Sequence, residues 1–350
     1  MKHALKAWLV RFKWLVLAGV VFLAVIAFGF SQSSKSYFPE VELADAPLGA
    51  PIADNAVFTR QLSARETAAY SKIKSCAAAY RGGVIEFDPE LTVGEFRRIY
   101  DCYMLECEYS DYSVLTFPLS DRNEVLPEKI AEESSAGDSS GGNAPKVKRC
   151  VLYLYGSALN SVDELTEAYG TMTNIKKCDD KLRQIDLAKK AEILSRQAQS
   201  REVLDQVAAR VPKQYGKNRA LDYFLSWMNH NVTQDTGQKY ESVSGFEDAV
   251  NRYEIPSSIL SVKGGKTLCA GYAKILRYLC GRVGIESQIV LGYLVAYPGD
   301  ERHTVLKVTI GGESAYIDAG NTFDYRVGAG KRMSRAELDS RFEMDPEFQM

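Results

Sequence analysis

The sequence predicts an α+β protein behind a single transmembrane helix. Three observations carry this. An uncharged apolar run spans residues 14–30 behind a basic N-terminus. Capped segments with helical spacing alternate with short β-branched and aromatic runs through the first two thirds of the chain. A hairpin pattern then closes on two glycines near residue 311.

The first element is the membrane segment. Lys2, Lys6, Arg11 and Lys13 precede the 17-residue run Trp14–Phe30. As a helix the run is roughly 26 Å long, just enough to span a hydrocarbon core. The basic flank, residues 1–13, is expected in the cytoplasm, which places the rest of the chain outside it. A cleaved signal peptide is the rival reading, but the nearest small-residue site, Ala27-Phe28-Gly29, lies inside the run. Residues 31–60, with Pro39, Pro47 and Pro51, read as an extended linker.

Residues 61–200 read as an α+β accessory region. Ser63 with Glu66, and Thr92 with Glu95, are capping boxes. They predict helices over about 64–80 and 93–107, with a short strand at Val84, Ile85 and Phe87 between them. Tyr112–Phe117 and Cys150–Tyr155 read as strands. The Ser- and Gly-rich stretch 134–146 between them cannot bury enough apolar surface to order itself. A long helical pattern follows over about 180–210, broken by Pro212 and Gly216, and then a helix over 217–231. The domain boundary is expected near 200, with the second domain over 201–350.

Composition narrows the chemistry. Hydrophobic residues make up 46% of the 350 residues and charged residues 25%, and the formal charge is −2. Nothing here implies affinity for nucleic acid. Only three histidines occur, and no Cys-x-x-Cys pair, so neither a structural metal site nor any cofactor is predicted. Seven cysteines leave at least one unpaired in an oxidising compartment.

The candidate chemistry lies in the last third. Gly264 to Ala273 read as a turn entering a helix, with Thr267 as its cap and Gly281 as its stop. Cys269 falls in the first turn, where the helix dipole and Lys266 favour a thiolate; the plain alternative is a small buried thiol. Cys280 lies about three turns deeper and reads as core. Ile289–Val295 reads as a strand. A Gly311-Gly312 turn pairs residue 310 with 313 and so 305 with 318. His303 and Asp318 then lie diagonally, with backbones about 7–8 Å apart. Thiol, imidazole and carboxylate are the groups needed for nucleophilic attack on an amide carbonyl, proton shuttling and orientation of the ring. His303 is preferred as the base over His230, which ends a helix with no nearby strand carboxylate. Asp324 is a second candidate for the orienting group. A metal-dependent hydrolase using His230, His303 and Asp318 would draw its ligands from unconnected elements.

These residues resemble the transglutaminase-like superfamily, which shares a papain-like α+β core. Thr267-Leu268-Cys269-Ala270-Gly271-Tyr272-Ala273 is similar to the family's cysteine motif. Gly284-Ile285-Glu286-Ser287 and Gly292-Tyr293 fit the strand that follows it, His303 fits the base, and Tyr316-Ile317-Asp318-Ala319 fits the third motif. The resemblance covers about 215–325. It implies a helix bearing the cysteine on an antiparallel sheet, a Cys269-His303-Asp318 triad, and protein or peptide amides as substrates. It also implies membrane-anchored bacterial relatives. Two departures stand out. Thr304-Val305 occupies the place where the family often has tryptophan, and Thr267 stands where it often has glycine. A non-catalytic binding or scaffold protein on the same fold is the alternative function.

Overall fold

A computed structural model describes Leu43 and residues 57–116, 146–158, 179–234, 258–263, 265–295, 302–320 and 332–345. All of them belong to one compact unit, Glu40–Met350. Among the described residues no helix is long and apolar enough to cross a membrane. The run 14–30 lies outside them, as do the linker up to residue 56 (Leu43 apart), residues 134–145 of the Ser/Gly-rich stretch, and Asp324.

The accessory region follows its capping signals. Helix α1 (Val57–Gln61) precedes α2 (Ala64–Ala78), where both arms of the Ser63/Glu66 capping box form. Glu66 serves twice: Oε2 accepts the Ser63 N–H at 2.7 Å, and Oε1 accepts from Arg98 at 2.6 Å. Strand β1 (Gly83–Thr92) is longer than expected, and α3 (Val93–Glu106) starts at the complete Thr92/Glu95 box. A 3-10 turn over Glu108–Asp111, β2 (Ser113–Thr116) and β3 (Lys146–Leu154) follow. The three strands form an antiparallel sheet in the order β1-β3-β2, against which α2 and α3 pack.

Helix α4 (Leu187–Ala209) is capped by Asp186 and runs unbroken through residue 200. It joins the two halves of the described chain. Gln197 on α4 donates to Glu108 O and to Asp111 Oδ2, and α4 packs on the 3-10 turn Ile259–Lys263. Helix α5 (Lys217–Asn231) matches the expected bounds.

The second sheet carries the candidate chemistry. After β4 (Thr233–Gln234) and β5 (Lys266–Thr267) comes α6 (Cys269–Arg282), followed by β6 (Glu286–Leu294), β7 (Arg302–Ile310) and β8 (Glu313–Ile317). The chain ends in β9 (Arg332–Met333), α7 (Arg335–Asp339) and β10 (Phe342–Met344). Five strands pair antiparallel in the order β10-β6-β7-β8-β9. The Gly311-Gly312 hairpin takes the expected register, with Ile310 opposite Glu313 and Leu306 opposite Ile317. Both glycines have positive φ, 63° and 84°, as the tight turn demands. Val290, Leu294, Val305 and Tyr316 pack against Met333, Leu338 and Phe342 on one face. Ile289, Leu306, Val308 and Ile310 alternate with them and are buried too, and α6 packs on β6 and β7.

Two local expectations are corrected at the ends of α6. Thr267 does not cap the helix: it is buried in β5, and Leu268 stands at the N-cap with no side-chain cap. The helix also runs past Gly281 to Arg282. The residue that turns the chain is Gly284, at φ 69°, whose carbonyl accepts from Lys217 Nζ at 2.6 Å.

Candidate active site

The chain is led into Cys269 by a short parallel pairing. β4 continues from the end of α5 and pairs with β5, Thr233 opposite Lys266 and Gln234 opposite Thr267. One residue later the chain enters α6. Tyr272 in the first turn donates its hydroxyl to the Val232 carbonyl at 2.9 Å, tying this turn to the end of α5. Cys269 is thereby held half-buried at the start of a 14-residue helix, the end at which partial positive charge gathers.

His303 and Asp318 meet as the hairpin register requires. His303 Nε2 lies 3.0 Å from Asp318 Oδ2, and each residue is only 4% exposed. The other carboxylate oxygen, Oδ1, accepts the Gly320 N–H at 3.1 Å, so backbone holds the orienting group in place. Pairing of β7 with β8 ends at Leu306–Ile317, just short of this corner. The sulfur of Cys269 is within hydrogen-bonding reach of the His303 ring, and also of the Thr304 side chain and backbone. Two successive residues of β7, His303 and Thr304, thus both lie near the sulfur. With Nε2 turned to Asp318, Nδ1 is left for the sulfur.

The electrostatics follow from this contact. Burial alone pushes the Cys269 thiol up, but the nearby His303 ring and, after it, the polar groups of Thr304 outweigh it, so the thiol lies below its ordinary value. Burial works against a charged His303, yet the sulfur and Asp318 together push it up to about 10. Both shifts have the sign of a thiolate–imidazolium pair. Lys266 is exposed on β5, and the pull on the thiol comes chiefly from His303 and Thr304. The buried thiols behave as core: burial pushes Cys280 up to about 12 and Cys107 to about 11. Six cysteines are free, and Cys178 lies outside the described residues.

His230 is exposed at the end of α5, its Nδ1 2.7 Å from the Ser226 carbonyl, and takes no part in this cluster. Among the described residues no group of His, Cys, Asp and Glu could hold a metal ion.

Three features were not anticipated from the sequence. Phe342, 1% exposed, sets its ring edge against His303 with centroids 6.4 Å apart. Gly292 lies opposite His303 in the ladder, where a Cβ would stand 2.2 Å from Glu343 O and 2.5 Å from the Phe342 ring. Thr304 presents a buried hydroxyl beside the sulfur. A three-residue strand such as β10 carries no legible periodicity; a glycine inside a strand, as at Gly292, is the one signal that could have pointed to a close approach.

The accessory region reaches the same neighbourhood. Arg97 on α3 hydrogen-bonds the Tyr293 hydroxyl and lies 3.8 Å from Asp345, just beyond β10. Lys274 on α6 donates to Ser110 Oγ at 2.7 Å, and burial pulls its pKa down despite nearby Asp111.

No protein-family model matches the chain, and no curated protein matches it by sequence. Among solved structures, one of a TGase, a transglutaminase, is similar at 13% identity, with a TM-score of 0.27 over 65% of this chain and 55% of that one. A candidate cysteine protease from Cytophaga hutchinsonii is similar at 11% identity, with a TM-score of 0.24 over 63% of this chain and 68% of that one. The chain has a mixed helix-and-sheet fold, and it spans about half the length of the transglutaminase.

Proposed function

We propose that this chain is a transglutaminase-like cysteine enzyme acting on protein or peptide amide bonds through a thioester acyl-enzyme. Cys269 is the nucleophile, His303 the proton shuttle and Asp318 the group that orients the ring. The observation that carries this reading is the placement of His303. Its ring is buried, bound to Asp318 on one nitrogen and facing the Cys269 sulfur with the other.

The arrangement supports a definite sequence of steps. The thiolate attacks the amide carbonyl carbon, forming an S–C bond as the C=O π pair moves to oxygen. When that pair returns, the C–N bond breaks and the leaving amine takes the imidazolium proton. Water then attacks the thioester, with His303 removing its proton, and hydrolysis regenerates the thiol. An amine in place of water gives cross-linking. We favour hydrolysis, that is, peptidase or amidase activity.

The apolar run 14–30 anchors the enzyme in this reading, with residues 1–13 in the cytoplasm and the catalytic residues outside it. The test is amide cleavage from a peptide library by the full-length chain in detergent, compared with Cys269→Ala. The variant is expected to lose all cleavage above background. Cleavage retained in Cys269→Ala would rule the mechanism out. A wild-type chain that neither cleaves amides nor couples an amine to them would leave a binding scaffold as the better description.

A further inference from the structure

Thr304 is 3% exposed, and its Oγ1 is buried without a hydrogen-bond partner. A buried hydroxyl is normally paired, because desolvating it without compensation is costly. The residue opposite in the ladder is Leu291, and the next residue on the same strand face is Leu306; neither side chain offers an acceptor. Thr304 follows His303 directly on β7, and its side chain is near enough to the Cys269 sulfur to act on the thiol. Cys269 is also the first residue of α6, so its own backbone N–H has no partner within the helix.

We propose that the Thr304 hydroxyl is an oxyanion donor, binding the carbonyl oxygen of the substrate together with the Cys269 N–H as the sulfur bonds the carbonyl carbon. The inference rests on the reading of Cys269 as nucleophile and names a further catalytic residue for it. The oxyanion sits on the carbon that the sulfur has just attacked, so it forms next to the sulfur. Oxyanion donors must lie ~2.7–3.1 Å from that position, and a hydroxyl already against the sulfur reaches it by turning its O–H. Thr304 keeps its proton throughout. It donates a hydrogen bond while the oxygen holds the former π pair, and gives it up when the pair returns and the C–N bond breaks. An orphan hydroxyl in the resting site is then the expected ground state, since its acceptor exists only during reaction.

Two probes separate this role from the alternatives. p-Nitrophenyl acetate acylates a thiolate through a tetrahedral oxyanion and releases p-nitrophenolate. Iodoacetamide alkylates the same thiolate by displacing iodide at a saturated carbon, with no oxyanion. With the full-length chain, Thr304→Val is expected to lower Cys269-dependent p-nitrophenolate release by about 10²–10³-fold. The plateau rate of alkylation at high pH should stay unchanged, and Thr304→Ser should keep most of the ester rate. An unaltered ester rate in Thr304→Val would overturn the proposal. So would an equal loss with both probes, which would show that Thr304 only shapes the site. If Cys269→Ala releases p-nitrophenolate as fast as wild type, the nucleophile reading itself fails, an outcome distinct from failure of the Thr304 role alone.

Discussion

Gly292→Ala should damage the fold and the site together, by an amount set by the backbone behind His303. The added Cβ would lie 2.2 Å from Glu343 O, about 1.2 Å short of the 3.4 Å at which ordinary contact begins. Two Phe342 ring atoms would stand at 2.5 and 2.6 Å. The ring could turn aside, but the carbonyl belongs to β10, which is paired to β6 through Met344–Gly292 and its neighbours. Relief requires β10 to shift or detach. Overpacking of this kind costs about 1–3 kcal/mol, with a ceiling near the ~3–5 kcal/mol lost when a buried Phe is truncated to Ala. Urea unfolding of the full-length chain in detergent, followed by tryptophan fluorescence, would measure it. Adding Phe342→Ala to Gly292→Ala should not restore stability, because the nearest clashing atom is main chain. A loss below about 0.5 kcal/mol, the range of ordinary surface substitutions, would refute the reasoning.

Two further outcomes follow from the hydrogen bonds. In Asp318→Asn the side-chain oxygen can keep the Gly320 N–H, which turns the amide NH2 toward His303 Nε2 and leaves the ring proton on Nδ1, facing the sulfur. That ring cannot take the thiol proton. Cys269-dependent release of p-nitrophenolate should fall on the order of 10³–10⁴-fold, and a fall of less than tenfold would contradict the assigned tautomer. Asp111→Ala removes a buried acceptor from Gln197 and from the Ile259 N–H and leaves Lys274 without its nearby carboxylate. A loss of about 3–5 kcal/mol in urea unfolding is expected, and a loss under 1 kcal/mol would mean that the accessory turn is only loosely joined to α6.

The three candidate residues were legible because each is governed by local rules. Helical spacing placed Cys269 at the start of α6, and the Gly311-Gly312 turn set the register that brings Asp318 to His303. Local rules also located both capping boxes and the bounds of α5. They failed where a distant segment decides. Thr267 looks like a cap, but pairing with β4 draws it into a buried strand. Thr304 alternates with His303 along β7, so period-two reasoning sends the two to opposite faces. Both nevertheless lie near the Cys269 sulfur. Phe342 belongs to a strand 39 residues beyond His303, and no spacing rule connects them.

The central claim is that His303 holds Cys269 as a thiolate. The rate of Cys269 alkylation by iodoacetamide as a function of pH reads this directly in wild type and His303→Gln. Burial raises the thiol and His303 opposes it, so the wild-type rate should reach its plateau below the pH at which a free cysteine ionises. In His303→Gln the same inflection should move above that pH, because burial is then opposed only by Thr304 and the helix terminus. Superimposable profiles for the two chains, or a wild-type inflection at or above that of free cysteine, would contradict the account.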